Sequence, residues 1–209
     1  AVIANVAGSS LSDYEKICAR LDGLVDLIEL NISCPNVKCG GMAFGIRPES
    51  VKEVTRVSKD ALKKTPLIVK LSPNVESIAV NALAAQEGGA DAVSLVNTFT
   101  GMVIDIERRR PLIANNTGGV SGAGIMPIAV RMTHEVCSAV TVPVIGMGGI
   151  TCAEDALQFI IAGASAVQVG TANFTDTLAM PKIIAGLHAW LDGHGIGNIN
   201  ELRGTLKLN

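Results

Sequence analysis

The sequence predicts an α/β chain of the TIM, or (β/α)8, barrel class, and three observations carry that prediction. Short β-branched apolar runs alternate with helix-period segments, the pattern of parallel strands joined by crossover helices. Polar and glycine-rich residues gather at the C-terminal end of every candidate strand, the face on which such barrels build their sites. The last two strand-to-helix junctions both carry glycine, and no G-x-G-x-x-G follows a strand to favour an open dinucleotide-binding sheet.

Residues 2–6 form the first candidate strand, and Ser12 with Glu15 makes a capping box ahead of an amphipathic helix. Strand 27–31 follows, and Pro48 then marks the first turn of the next helix. Strands 67–71 and 92–96 are also rich in Val, Ile and Leu. Pro127 opens a helix ending near Val140, ahead of strand 142–147. Thr151 with Glu154 caps the helix before strand 166–169, and Pro181 opens a last helix ending near Asp192. The inward faces of these strands are expected to be Val, Ile and Leu, as in other barrels. The connection from Val96 to Pro127 is unusually long, and its Gly118-Gly119-Val120-Ser121-Gly122 run reads as a ligand cover or as a flexible stretch. No repeat, low-complexity tract or linker interrupts residues 1–209, so one domain is expected.

Composition narrows the function classes. Hydrophobic residues make up 48% and aromatics 3%, so the apolar mass is aliphatic, which suits strands buried beneath helices. The net charge is −2 and no Lys/Arg cluster is interleaved with aromatics, which excludes a nucleic-acid footprint and a polybasic membrane patch. Mean hydropathy is +0.41, yet the longest nearly uncharged stretch, residues 156–169, is short for a membrane span. The first residues lack a signal-peptide pattern, so the cytoplasm is the expected location. Five scattered cysteines fit reduced thiols, and Cys34 and Cys39 have no second pair, so no metal site is expected.

The residues at the strand ends carry the chemistry. Asn31-Ile32-Ser33-Cys34-Pro35-Asn36 places a thiol between two amides just past the second strand, which suits proton transfer beside a planar polar substrate, although a free cysteine is often a small buried hydrophobe. Lys70 ends the third strand among apolar neighbours and is expected to face an anion or an electron-rich ring, or else solvent at the strand end. Asn97 and Thr98 stand at the equivalent point of the fourth. Gly148, Gly149, Gly170 and Thr171 close the last two strands, where glycine lets the backbone approach a phosphate near helix N-termini. His134, His188 and His194 share no spacing and are read as structural or surface residues; Met102 and Met147 are read as packing.

Taken together, IANVAGSS (3–10), ELNISCPNVKCGGMAFG (29–45), VKLSPNV (69–75), VNTFTGMVID (96–105), NNTGGVSGAGIMPIAVRM (115–132), VIGMGGI (144–150) and VQVGTANF (167–174) resemble the class 1B dihydroorotate dehydrogenases along essentially the whole chain. The NVKCGG continuation is similar to that branch. The resemblance implies an FMN-dependent oxidoreductase of pyrimidine biosynthesis that oxidises dihydroorotate to orotate, with Cys34 as the catalytic base and hydride passing to FMN. It implies flavin contacts at Asn5, Asn31, Lys70, Val96, Gly122, Gly148, Gly149, Gly170 and Thr171. Substrate contacts fall on Asn31, Asn36, Asn97 and Thr98. It further implies a homodimer joined in a heterotetramer to an electron-transfer subunit, which carries FAD and a 2Fe-2S cluster and reduces NAD.

Departures from the family pattern are Phe99-Thr100 after the Asn-Thr pair and Gly124 after Ser-Gly-Ala. By the same resemblance residues 1–209 hold strands 3–8 of the barrel, so the domain is expected to be N-terminally incomplete, with the remainder of its barrel supplied from an upstream segment. Two other readings stay open: the FMN domain of a dihydropyrimidine dehydrogenase, and a catalytically inactive barrel fragment.

Overall fold

The computed structural model describes residues 1–33 and 42–209, with the backbone alone at 42 and 43. Its first half alternates regularly: β1 (Ile3–Val6), α1 (Leu11–Leu21), β2 (Leu27–Asn31), the short α2 (Met42–Ile46), α3 (Pro48–Asp60), β3 (Leu67–Lys70), α4 (Ile78–Glu87) and β4 (Ala92–Leu95). The long connection then holds four short strands, β5 (Phe99–Gly101), β6 (Ile104–Asp105), β7 (Arg110–Pro111) and β8 (Gly118–Val120). Alternation resumes with α5 (Met126–Ala139), β9 (Val144–Met147), α6 (Ala153–Ile161), β10 (Ala166–Gln168), the short α7 (Ala172–Thr175) and α8 (Ala179–Gly193).

Six of these strands, β1-β2-β3-β4-β9-β10, form one parallel sheet in the order of the chain. The major helices follow the same order, each packing on the next: α1 on α3, α3 on α4, α4 on α5, α5 on α6, and α6 on α8. A strand order that never reverses, with neighbouring helices in step, is single winding; a doubly wound sheet would change direction part-way. The sheet is also curved, because Gln168 on the last strand hydrogen-bonds Glu29 on the second across its inner face. Parallel barrel architecture is therefore observed for the described part of the sheet.

Alternation along each strand decides what faces what. Ile28, Leu30, Leu67, Val69, Val93 and Leu95 have no measurable exposure and point into the helix layer. Each such side chain contributes about 1.5–3 kcal/mol of transfer free energy on burial. Gly146 also faces outward, and the Phe159 ring of α6 fills the place its side chain would take. The alternate residues, Asn5, Glu29, Asn31, Lys70, Ser94 and Gln168, face inward. The interior expected to be Val, Ile and Leu does hold Leu27, Ile68 and Ile145, which the same alternation turns inward, but it carries this polar layer beside them.

Several local expectations shift. The first helix starts two residues early: the box is Ser10 with Asp13, whose carboxylate takes the N–H groups of Ser9 and Ser10, so that Leu11 can pack against the core. The later box moves by one, to Cys152 with Asp155, whose carboxylate takes the Thr151 hydroxyl and the N–H groups of Thr151 and Cys152. Burial opposes ionisation of Asp155, but these bonds outweigh it and hold its carboxyl below the ordinary value. The last helix begins at Ala179, placing Pro181 third, where its missing N–H is still one that the helix leaves unused. The long connection is not featureless: β5 pairs with β8, and β6 with β7, both antiparallel. Met102 is exposed on it rather than packed. No helix among the described residues is long and apolar enough to cross a membrane.

One buried side-chain polar atom among the described residues lacks a partner: the Thr133 hydroxyl of α5, fully buried. Thr133→Val keeps the shape and removes the unsatisfied group, so it is expected to leave stability unchanged or raise it by about 1 kcal/mol. Thermal unfolding checks this; a clear loss of stability would mean that the hydroxyl has a partner.

Candidate active site

The C-terminal ends of β3, β4, β9 and β10 surround a cavity of about 460 Å³, within the range of small-ligand sites. Lys70 comes from β3, Val96, Asn97 and Thr98 from the end of β4, Gly148 and Gly149 from the end of β9, and Gln168, Gly170 and Thr171 from β10 and its exit. Ser121 and Gly122, from the end of the long connection, close one side, with the Thr171 hydroxyl donating to the Ser121 hydroxyl at 3.1 Å. Seven of the nine expected flavin positions, and two of the four substrate positions, are thus brought together. Asn5 and Asn31 are not in the lining; they sit on the inner face of β1 and β2, with Asn31 paired in register to Lys70. Cys34 and Asn36 lie outside the described residues, as does Cys39.

The glycines show why this face takes a ligand. Gly149 has φ +80°, and a side chain there would lie 2.9 Å from the Gly122 carbonyl oxygen and from the Met126 nitrogen, so only glycine lets the two turns meet. Gly170 differs: among the described residues a methyl group on it would touch no atom within 4 Å, and one on Gly122 would find only Thr171 at 4.0 Å. Both glycines therefore border space that the described residues leave unfilled. A cradle of this kind fits a phosphate-bearing cofactor approached by backbone, with Lys70 as the nearby cation.

Hydrogen bonding fixes the polar side chains around the opening. Asn97 donates through Nδ2 to the Ser33 hydroxyl at 2.7 Å and to its carbonyl at 3.1 Å, and its Oδ1 accepts the Thr98 N–H at 2.8 Å. Ser33, fully buried, also donates to Asn31 Oδ1 at 3.0 Å. The residue before Cys34 is therefore anchored from two strands. Asn74 holds the other side of Thr98 through its carbonyl at 2.9 Å and accepts the Thr100 N–H at 2.9 Å. Gly119 leaves no room for a side chain beside Thr98.

Sequence reading missed Glu29, Ser33, Asn74, Ser94, Ser121 and Gln168. A signal existed for three of them. Glu29, Ser94 and Gln168 are polar residues each set between apolar neighbours within a strand, an alternation hidden by treating both faces as aliphatic.

The described cysteines are poor bases. Burial pushes the Cys18 and Cys137 thiols up to about 11, and burial also raises that of Cys152. None of the three, and none of the three histidines, lines the cavity, whereas Met147, expected as packing, does. Among the described residues no group of three or more His, Cys, Asp or Glu could hold a metal ion.

Comparison with known proteins agrees with this geometry. Residues 1–191 match the family model described as dihydroorotate dehydrogenase. A protein of Bacteroides fragilis named dihydroorotate dehydrogenase B (NAD(+)), catalytic subunit, is 52% identical over 209 residues, which are 99% of this chain and 69% of the relative. Proteins of the same name from Alkaliphilus metalliredigens (52% identical, 98% of this chain and 68% of the relative) and Geobacter sp. (52%, 99% and 68%) are similar to the same extent. With a family model spanning nearly the whole chain and relatives at this identity, the chain belongs to the dihydroorotate dehydrogenase family.

Proposed function

We propose that this protein oxidises (S)-dihydroorotate to orotate in pyrimidine biosynthesis, with FMN in the cavity at the strand ends. The observation that carries the reading is the lining of that cavity, where a cation, an Asn-Thr pair and four strand-end Gly/Thr positions converge. The unfilled space beside Gly122 and Gly170 fits the group, and one phosphate is provided for without a dinucleotide fingerprint. FMN, when bound, supplies the acceptor for the hydride that leaves C6 of dihydroorotate.

This chain's residues do the rest. Gly148, Gly149, Gly170 and Thr171 would hold the phosphate, and Lys70 would face the electron-rich edge of the flavin. Val96 and Gly122 would pack against it, with Asn5 and Asn31 as further polar contacts. Asn31, Asn36, Asn97 and Thr98 would hold the substrate. Cys34 would take the C5 proton as C5=C6 forms, so that one proton and one hydride leave together.

The six strands of the sheet correspond on this reading to strands 3–8 of an eight-stranded barrel, in a single FMN-binding domain. Relatives named as catalytic subunits support a partner subunit; by the family resemblance that partner would carry FAD and a 2Fe-2S cluster and pass electrons to NAD, in a cytoplasmic heterotetramer built on a homodimer.

The test is to release the flavin by heat and identify it, then to mix the loaded protein anaerobically with dihydroorotate and follow flavin absorbance. FMN and bleaching by dihydroorotate are expected. Recovery of FAD from this polypeptide, or bleaching by dihydrouracil and not by dihydroorotate, would overturn the reading.

A further inference from the structure

We propose that Glu29 is a positioning residue for this site: its carboxylate sets the direction of a hydrogen-bond chain that turns the amides of Asn5, Asn31 and Gln168 toward the bound molecules in a fixed sense. The inference rests on the flavin and dihydroorotate reading of the cavity.

The chain of bonds can be followed link by link. Asn97 Nδ2 donates to Ser33 Oγ at 2.7 Å, and Ser33 Oγ donates to Asn31 Oδ1 at 3.0 Å. Asn31 Nδ2 donates to Asn5 Oδ1 at 3.4 Å, and Asn5 Nδ2 donates to Glu29 Oε2 at 2.8 Å. Every link runs the same way, and the chain ends on a carboxylate. The other oxygen, Oε1, accepts from Ser94 Oγ at 2.8 Å and from Gln168 Nε2 at 3.1 Å. Glu29 is 5% exposed, so water does not compete for these contacts.

A side-chain amide can present either its N–H or its oxygen, and nothing in its shape decides which. A carboxylate has no such freedom when it accepts from three donors. It forces Asn5 and Gln168 to give N–H groups, and Asn5 Oδ1 must then receive Asn31. Counting donors and acceptors, Asn31 Oδ1 is used by the Ser33 hydroxyl and N–H. Among the described residues, Asn5 and Asn31 each keep one amide hydrogen, and Gln168, in the cavity lining, keeps its oxygen. The inner face therefore offers N–H donors from β1 and β2 and an acceptor from β10. Glu29 need touch neither flavin nor substrate to impose this.

Glu29→Gln is nearly isosteric yet cannot reproduce the pattern. A glutamine has one accepting atom where the carboxylate has two. If its oxygen faces Ser94 and Gln168, its Nε2 meets Asn5, whose amide must turn over and push Asn31 to follow. If its oxygen faces Asn5, Gln168 must turn over instead. Either way at least one amide presents the wrong atom.

The experiment compares the wild type with Glu29→Gln, Glu29→Asp and Ser94→Ala, using the complete enzyme. It measures FMN affinity by fluorescence titration, the absorption spectrum of bound flavin, thermal unfolding, and kcat and KM for dihydroorotate. Glu29→Gln is expected to weaken FMN about tenfold or more, to shift the flavin spectrum, and to raise KM for dihydroorotate. Ser94→Ala, which removes a donor to Glu29 without reversing an amide, should lower the melting temperature and leave the flavin spectrum and affinity in place. Glu29→Asp keeps an acceptor-only carboxylate and should bind FMN better than Glu29→Gln.

A folded Glu29→Gln protein with wild-type FMN affinity and spectrum would overturn the inference, whatever its melting temperature. If Glu29→Gln does not fold, Glu29→Asp decides: a wild-type spectrum supports the inference, and a tenfold loss of FMN affinity in a folded protein overturns it. A wild-type enzyme that holds no FMN, or is not reduced by dihydroorotate, would sink the functional reading and this inference with it. Failure at Glu29 alone leaves that reading intact.

Discussion

Replacing Cys34 with alanine is expected to slow reduction of bound flavin by dihydroorotate by about two to four orders of magnitude, the usual worth of a general base, while FMN and orotate still bind. Ser33, the last described residue before Cys34, is buried and tied to Asn31 and Asn97. Cys18, Cys137 and Cys152 all have raised thiol pKa values and lie away from the lining, so none is placed to substitute. Cys39→Ala should change the rate little. Anaerobic stopped-flow mixing measures both variants, and equal losses would assign the pair a structural or metal-binding role instead.

The two strand-end glycines should respond to alanine in opposite ways. At Gly149 the backbone is left-handed and the new methyl group would press on the Gly122 carbonyl and the Met126 backbone. Such strain costs about 1–3 kcal/mol, so Gly149→Ala is expected to lower both the melting temperature and FMN retention. At Gly170 the methyl group meets no atom of the described residues, so the cofactor-free protein should melt as the wild type does. The methyl would instead occupy the cavity space assigned to the phosphate in the proposed function, and FMN affinity should fall about tenfold or more, equivalent to about 1.4 kcal/mol. Melting curves with and without FMN, alongside fluorescence titration, separate the two effects. Unchanged FMN affinity in Gly170→Ala would remove the phosphate from this junction.

The contrast between these glycines also shows where sequence reasoning stops. That glycines close the last two strands is visible in the sequence; that one relieves a clash and the other leaves a gap depends on Gly122 and Met126, distant in the chain. All six strands of the sheet were legible because aliphatic β-branched runs need no partner to be recognised, and each observed strand lies within two residues of its expected bounds. The capping boxes slipped because Ser10 and Ser12, or Thr151 and Cys152, offer rival starts that only packing of Leu11 or reach of Asp155 decides. The small antiparallel pairs went unseen since strands of two or three residues carry no period. Glu29 was passed over for a different reason: its partners on β1, β4 and β10 come from separate parts of the chain, so the cluster exists only after folding.

That separation has a consequence for synthesis. Gln168 and Glu29 lie 139 residues apart, so at ribosomal rates of about 5–20 residues per second their hydrogen bond cannot form until about 7–28 s after Glu29 is made. Each strand can dock beside its predecessor as it emerges, because neighbours in the sheet are neighbours in the chain. The inner layer must wait for β10. During that interval the inner face of the nascent sheet shows the solvent the polar side chains of Asn5, Glu29, Asn31, Lys70 and Ser94, which water satisfies, beside the aliphatic Leu27, Ile68 and Ile145. When the last strand docks, Gln168 replaces water on Glu29.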